Sequence, residues 1–220
     1  MDSQHSASCS ATVIVSDTKN AVWTAAHCLH KGSGGRNGFF KNFAFIPSYQ
    51  SNDLPWGVWT ARRVIVTDTW ANDGDFDDND LGALVLNRDS RYGNIQDAIG
   101  AWGYRFDGGT AHSNTYSYGY PADGYNRPQS DFDGEHLMYC QGKTVDADNL
   151  NPSDDRLRMD CDMGHGASGG PMATGVPDSP KIVGSNSHRR ADSHHHWVDN
   201  HLFSSNHGRE AVAVIRLVDN

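Results

Sequence analysis

Short runs of apolar and β-branched residues, rather than long amphipathic stretches, set the pattern of this chain. They occur at 9–15, 21–24, 42–46, 58–66, 81–86 and 115–120, and again at 136–145, 156–161 and 181–187. Clusters of Gly, Asn, Asp and Pro break them at short intervals. Many short strands separated by turn chemistry predict an all-β protein built as an antiparallel sandwich or barrel. Helical periodicity is weak until 210–218, where β-branched residues leave a short helix and a last strand both open. Segments 68–80, rich in Asp and Asn, and 107–133, rich in Gly, Tyr and Asn, read as loops. Strand signals thin out near 90–112, and a division into 1–100 and 101–220 follows from that.

Composition narrows the class. At 220 residues the chain suits one compact unit or two small barrels sharing a core. Charged residues are 20 % of the chain, which excludes global disorder. A net charge of -9 lacks the basic face that nucleic acid requires. No apolar stretch is long enough for a membrane helix, and mean hydropathy is -0.64. Residues 1–5 have no apolar core, so they read as a trimmed mature end rather than a secretory signal.

The cysteines stand at 9, 28, 140 and 161, and none forms a Cys-x-x-Cys pair. Four cysteines allow three pairings. The sequential one, Cys9 with Cys28 and Cys140 with Cys161, closes two local loops, each stabilising by roughly 3 kcal/mol in the chain-entropy model. Four buried thiols are the alternative. Disulfides imply an oxidising compartment and hence secretion.

Three segments carry chemistry. In Trp23-Thr24-Ala25-Ala26-His27-Cys28 a β-prone run delivers a histidine beside a cysteine that can tie it to an earlier strand. In Asn79-Asp80-Leu81-Gly82-Ala83-Leu84-Val85-Leu86 an aspartate leads directly into an apolar strand, where its carboxylate can be buried. Asp73, Asp75, Asp77 and Asp78 compete by composition, but no apolar run follows them. In Gly164-His165-Gly166-Ala167-Ser168-Gly169-Gly170-Pro171 glycines on both sides of Ser168 permit a tight, exposed turn. A histidine base, a buried carboxylate that orients it and a serine on such a turn are what acyl transfer by a hydroxyl needs.

These strings resemble the signatures of the chymotrypsin-like serine proteases: Thr-Ala-Ala-His-Cys, Asn-Asp before an apolar strand, and Gly-x-Ser-Gly-Gly-Pro. Segments Gly119-Tyr120-Pro121-Ala122, Met159 to Gly164 and Asn186-Ser187-His188 are similar to bacterial secreted enzymes of glutamyl-endopeptidase-like type. The resemblance spans residues 9–188. It implies two antiparallel six-stranded β-barrels with the active site in the cleft between them. His27 and Asp80 would come from the first barrel and Ser168 from the second, with the N–H groups of Gly166 and Ser168 as the oxyanion hole. A secreted, monomeric serine endopeptidase acting on protein or peptide substrates follows, with no cofactor, metal, nucleic acid or membrane. A propeptide or a protein inhibitor is a further expected partner. A catalytically silent homologue that binds proteins through the same cleft is the alternative.

Specificity is not settled by resemblance. Asp162 lies six residues before Ser168, the spacing at which trypsins bind Arg or Lys, but Cys161 beside it alters the disulfide pattern. Asn186 stands where glutamyl endopeptidases place a pocket-wall histidine, and it carries no charge. Ser187 matches the serine that braces the triad aspartate and contacts the substrate backbone. Ala167 replaces the aspartate through which trypsins are activated, so activation by that ion pair is excluded. His194-His195-His196 has no second ligand cluster and reads as a surface loop. The acidic run 73–80 lacks the EF-hand Gly and Glu and reads as solvated, with a non-EF calcium site the alternative.

Overall fold

The structure is a computed structural model describing residues 7–77, 79–106, 108–148, 150–151, 155–205 and 207–220. Its core is two curled sheets. The first has five strands in the order β1 (Thr12–Val13), β2 (Ala21–Thr24), β5 (Gly82–Leu86), β4 (Trp59–Val66), β3 (Ala44–Phe45). The second has seven, in the order β12 (His201–Ser204), β9 (Leu157–Asp160), β8 (Met138–Asp146), β7 (His112–Gly119), β10 (Pro171–Thr174), β11 (Lys181–Ser185), β6 (Gly103–Tyr104). The expected two-barrel architecture holds, with five and seven strands in place of six and six. The connecting segment explains the uneven count, because it bonds to both sheets. Trp102 bridges Ile14, while β6 pairs in parallel with β11.

Alternation fixes how β5 sits. All five of its residues are buried: Ala83 and Val85 face one cluster with Trp23 and Leu81, and Leu84 and Leu86 face another with Trp59 and Trp70. A third cluster, around Met159, Met163, Met172 and Leu202, fills the second sheet.

Among the described residues, three α-helices complete the fold. Segment 68–80, expected as loop, begins with α1 (Asp68–Asp73). Thr67 caps it by accepting from the Trp70 N–H at 3.1 Å, and Gly74 ends it in the left-handed region. Burial of Trp70 holds this short helix down. Another short helix, α2 (Ile95–Ile99), lies in the region where strand signals thin out. The choice left open at 210–218 resolves as α3 (Arg209–Asp219). Ala211, Val214, Ile215 and Val218 are its buried residues, and that i, i+3, i+4, i+7 spacing gives one apolar stripe on a helix but both faces of a strand. The stripe packs on β4 and β5, so the last residues of the chain cover the first sheet. Among the described residues no helix is long and apolar enough to cross a membrane.

Strands β10 and β12 carry weak sequence signals. β10 opens with Pro171, tolerated at a first strand position, and β12 lies in a His- and Asn-rich stretch.

Both disulfides follow the sequential pairing, Cys9–Cys28 and Cys140–Cys161.

Candidate active site

The pairing of β2 with β5 places the histidine beside the aspartate. Thr24 sits opposite Gly82, so the chain leaves β2 towards His27 at the end where Asp80 enters β5. A single 3-10 turn, Ala26–Cys28, then presents the imidazole. Asp80 is fully buried. Its Oδ1 accepts from the His27 backbone N–H at 2.8 Å, and its Oδ2 accepts from His27 Nδ1 at 2.8 Å and from Ser187 Oγ at 2.5 Å. Burial alone would push this carboxyl pKa up. The His27 charge and the hydrogen bonds from His27 and Ser187 outweigh it and hold Asp80 below the usual carboxylate range. With Nδ1–H committed to Asp80, the lone pair of His27 is on Nε2, the form a general base requires.

Ser187 spends its proton on Asp80, so the 2.8 Å contact from His188 Nδ1 to Ser187 Oγ has the ring as donor. Arg156 then donates to His188 Nε2 at 3.1 Å and pairs with Asp77 at 2.9 Å. The carboxylate is thus braced by a second chain of hydrogen bonds besides those from His27.

Ser168 is half-buried on the turn between β9 and β10. Ser10, which the sequence reading left unremarked, docks this turn against the histidine segment. Its N–H donates to the Ser168 carbonyl at 2.7 Å and its Oγ donates to the Gly166 carbonyl at 2.8 Å. Its own carbonyl accepts from Thr24 Oγ1 at 2.9 Å, three residues before His27, and its Oγ accepts from Tyr120 N–H at 2.8 Å. The neighbouring Cys9–Cys28 bridge fixes Ser10 in place. Two glycines are obligatory at this docking. Gly169, at φ +80°, has no room for a Cβ against Thr24 Oγ1, and Gly166, at φ +90°, has none against the Tyr120 carbonyl.

Among the described residues, the N–H groups of Gly166 and Ser168 donate to nothing, whereas those of Ala167, Gly169 and Gly170 are bonded. Two unspent donors on the nucleophile turn are what a developing oxyanion needs. No hydrogen bond joins Ser168 Oγ to His27 Nε2 in this structure.

Two residues expected to touch substrate are placed otherwise. Asn186 is fully buried, accepting from Ser117 Oγ at 2.6 Å and donating to the carbonyls of Tyr118 at 2.9 Å and Ala167 at 3.0 Å. It is a tie beneath the nucleophile turn rather than a pocket wall, because every amide proton is already used. Asp162 is held by Arg127 at 2.9 Å, and Arg127 also pairs with Asp131 at 3.0 Å. Its Oδ2 is therefore already paired with an arginine of the same chain.

Among the described residues, two groups of His, Cys and Asp approach metal-binding spacing, and both owe it to a disulfide whose sulfurs are not thiolates. In the acidic run Asp75 accepts from Asp77 N–H and Asn79 Nδ2, both at 2.9 Å, and Asp78 lies outside the described residues. In the histidine run Asp192 Oδ1 accepts the N–H groups of His194 and His196, shaping an exposed loop.

Two hollows border the segment that follows Ser187. One of about 640 Å³ is lined by Arg156, Arg158, Arg190, Phe203 and 145–148. The other, about 350 Å³, is lined by Tyr125, Asn126, His195, His196 and Trp197.

No family model matches this chain, and no curated protein matches it. Solved structures do. The protease Anisep from Arthrobacter nicotinovorans is 27 % identical over 96 % of this chain and 88 % of its own, with a TM-score of 0.82. A thermostable serine protease, AL20, from an extremophilic microorganism is 29 % identical over 96 % and 89 %, with a TM-score of 0.81. A Glu endopeptidase shares the fold alone, at 15 % identity over 96 % and 85 %, with a TM-score of 0.70.

Proposed function

We propose that this chain, a chymotrypsin-like serine endopeptidase, cleaves peptide bonds by acyl transfer through Ser168, His27 and Asp80, and works in an oxidising, extracellular setting. The observation that carries the mechanism is the triple engagement of buried Asp80 by His27 N–H, His27 Nδ1 and Ser187 Oγ. A buried carboxylate so bound stays ionised and holds the imidazole in one tautomer.

In the first step Ser168 Oγ bonds to the scissile carbonyl carbon while its proton passes to His27 Nε2. The carbonyl oxygen becomes an oxyanion within reach of the Gly166 and Ser168 N–H groups. The C–N bond breaks as His27 returns the proton to the leaving amine. Water then attacks the acyl-enzyme by the same proton route and releases Ser168. Among the described residues the Ser187 carbonyl and the Arg189 N–H and C=O have no partner, which supports an edge along which a peptide backbone can lie extended.

Two disulfides support secretion. A monomer that needs no cofactor is part of the same reading. Fluorophosphonate labelling tests it directly: an adduct on Ser168 of the wild type and none on Ser168→Ala. That substitution is expected to lower kcat on the order of 10⁴-fold or more with the fold intact. An unlabelled Ser168 would favour a silent, protein-binding homologue.

A further inference from the structure

A second serine, histidine and aspartate meet at the surface, and none of them belongs to the site already described. His136 Nδ1 donates to Asp133 Oδ2 at 2.6 Å, and Ser51 Oγ lies 3.2 Å from His136 Nε2. Asp133 grips its histidine as Asp80 grips His27, because its Oδ1 also accepts the His136 backbone N–H, at 3.1 Å. The Glu135 N–H reaches the same Oδ1 at 2.8 Å. The Glu135 N–H and then the His136 ring hold the Asp133 carboxyl below the usual carboxylate range, so it is ionised and can only accept. The shared proton is therefore on Nδ1, and Nε2 carries the lone pair. Ser51 is then the donor of the 3.2 Å bond, with its proton already aimed at a base.

The grip alone is not distinctive. Asp123 holds the N–H and Nδ1 of His165 in the same way, at 2.7 and 2.6 Å. Of the three pairs built like this, only His136 has a hydroxyl bonded to Nε2 among the described residues.

The turn that carries Ser51 presents its side chain outward. Gln50 and Asp53 exchange backbone hydrogen bonds at 2.7 and 3.4 Å around Ser51 and Asn52, whose φ values are +47° and +67°. Two left-handed residues between such a pair make a tight hairpin turn. Asn52 suits that conformation. Serine is an uncommon choice for it, and here it sets Oγ against a histidine 85 positions away. Among the described residues the N–H groups of Ser51 and Asn52 donate to nothing, which leaves two donors on this turn for a developing oxyanion.

Openness sets the substrate class. The His136 and Asp133 side chains are 50 % and 53 % exposed, so water screens the charges that would stabilise a transition state. An amide, whose leaving amine must be protonated, asks more of such a site than an ester with a stable leaving oxygen. Leu137, beside His136, and Leu54, beside the turn, are exposed and add apolar surface to the two loops.

We propose that Ser51, His136 and Asp133 form a second acyl-transfer site, which hydrolyses small carboxylic esters independently of Ser168. Ser51 Oγ bonds to the ester carbonyl carbon as its proton passes to His136 Nε2. The C–O bond breaks, and the leaving oxygen takes that proton. Water then attacks the acyl-serine, giving one proton to Nε2, and Ser51 departs with it as the carboxylic acid is released. Asp133 touches no reacting atom and is a positioning residue.

The test uses p-nitrophenyl acetate and the full chain in a Ser168→Ala background, so its outcome does not depend on the peptidase reading. Ser168→Ala is expected to release p-nitrophenolate on the order of tenfold faster than Ser168→Ala/Ser51→Gly. Glycine is the chosen replacement because it tolerates the positive φ of this turn. Adding His136→Gln instead should lower the rate as far, and adding Asp133→Asn should lower it in part. Peptide mapping after acid quench should find acetyl on Ser51 when His136 is present. A histidine acting alone as nucleophile would keep its rate in Ser51→Gly and leave Ser51 unmodified. A rate unmoved by Ser51→Gly, or a Ser51 that never carries acetyl, overturns the proposal.

Discussion

The hydroxyl of Ser10 donates to the carbonyl of Gly166 at 2.8 Å across 156 residues of sequence, and the Ser10 N–H reaches the Ser168 carbonyl at 2.7 Å. One residue next to a disulfide therefore holds the peptide units 166–167 and 168–169. Between them lies the 167–168 unit, which carries the Ser168 N–H, one of the two unspent donors of this turn.

Replacing Ser10 by Ala removes the Oγ donor and leaves the backbone bond in place. Since the lost bond holds the turn on which the two oxyanion donors sit, kcat is expected to fall about tenfold with KM changed less, a cost of about 1.4 kcal/mol. Steady-state kinetics on a single peptide checks this. An unchanged kcat would mean that the Gly166 peptide needs no support from Ser10.

Ser187→Ala removes one of three donors to Asp80 while sparing both bonds from His27. Without that donor, Asp80 keeps its partner but loses part of the stabilisation of its charge. Turnover should drop about tenfold, with thermal unfolding little moved. A loss as large as that of Ser168→Ala would assign Ser187 a direct part in the chemistry.

Asn186→Asp exchanges a donating amide for a group that can only accept, facing the carbonyls of Tyr118 and Ala167. Two acceptors lose their donor and a buried charge gains none, so stability should fall by roughly 3 kcal/mol or more. Denaturant unfolding measures it. A variant as stable as the wild type would show that the tie beneath the nucleophile turn is dispensable.

His207 makes the fold sensitive to acid. It is fully buried, accepts from Trp23 Nε1 at 3.0 Å through Nε2, and donates from Nδ1 to the Ser205 carbonyl at 3.0 Å. Burial pushes its pKa from 6.5 down to about 4, against the opposing pull of the Ser205 carbonyl and the Asp80 charge. Between those values the unfolded chain takes up a proton that the folded chain refuses. The contribution is therefore complete above about pH 6.5, declines as pH falls towards 4, and is flat below, with a total of roughly 3 kcal/mol. His207→Gln keeps an acceptor for Trp23 and no longer titrates. The stability difference between wild type and variant should shift in favour of the variant by that amount between pH 7 and pH 4. A difference independent of pH would mean that His207 is not the titrating group.

Much of the candidate site was legible because each part is local. A histidine after a β-prone run, an aspartate opening an apolar strand and a serine among glycines are each determined within about eight residues, and their backbone demands show in the residues themselves. The strands 21–24 and 58–66 were legible for the same reason, through apolar and β-branched density. The α1 helix was not, although Thr67, Asp68 and Gly74 carry the cap chemistry that could have revealed it. Its Asp and Asn content resembles a loop until Trp70 is seen buried.

By itself the sequence determined the serine-protease resemblance, the order of the motifs, the presence of four cysteines that can pair, and an all-β architecture. The tertiary structure alone decided that 210–218 is a helix lying on the first sheet, that Asn186 faces inward and that Arg127 neutralises Asp162. It also showed that Ser10 carries the turn of Ser168, and that Arg189 is buried with no ion pair among the described residues. The physical reason is common to all five. A residue's type limits what it can bond, but burial and hydrogen-bond partners depend on which distant segments pack against it. Arg127 and Asp162 meet across 35 positions and Ser10 and Gly166 across 156, separations at which neither periodicity nor spacing carries a signal.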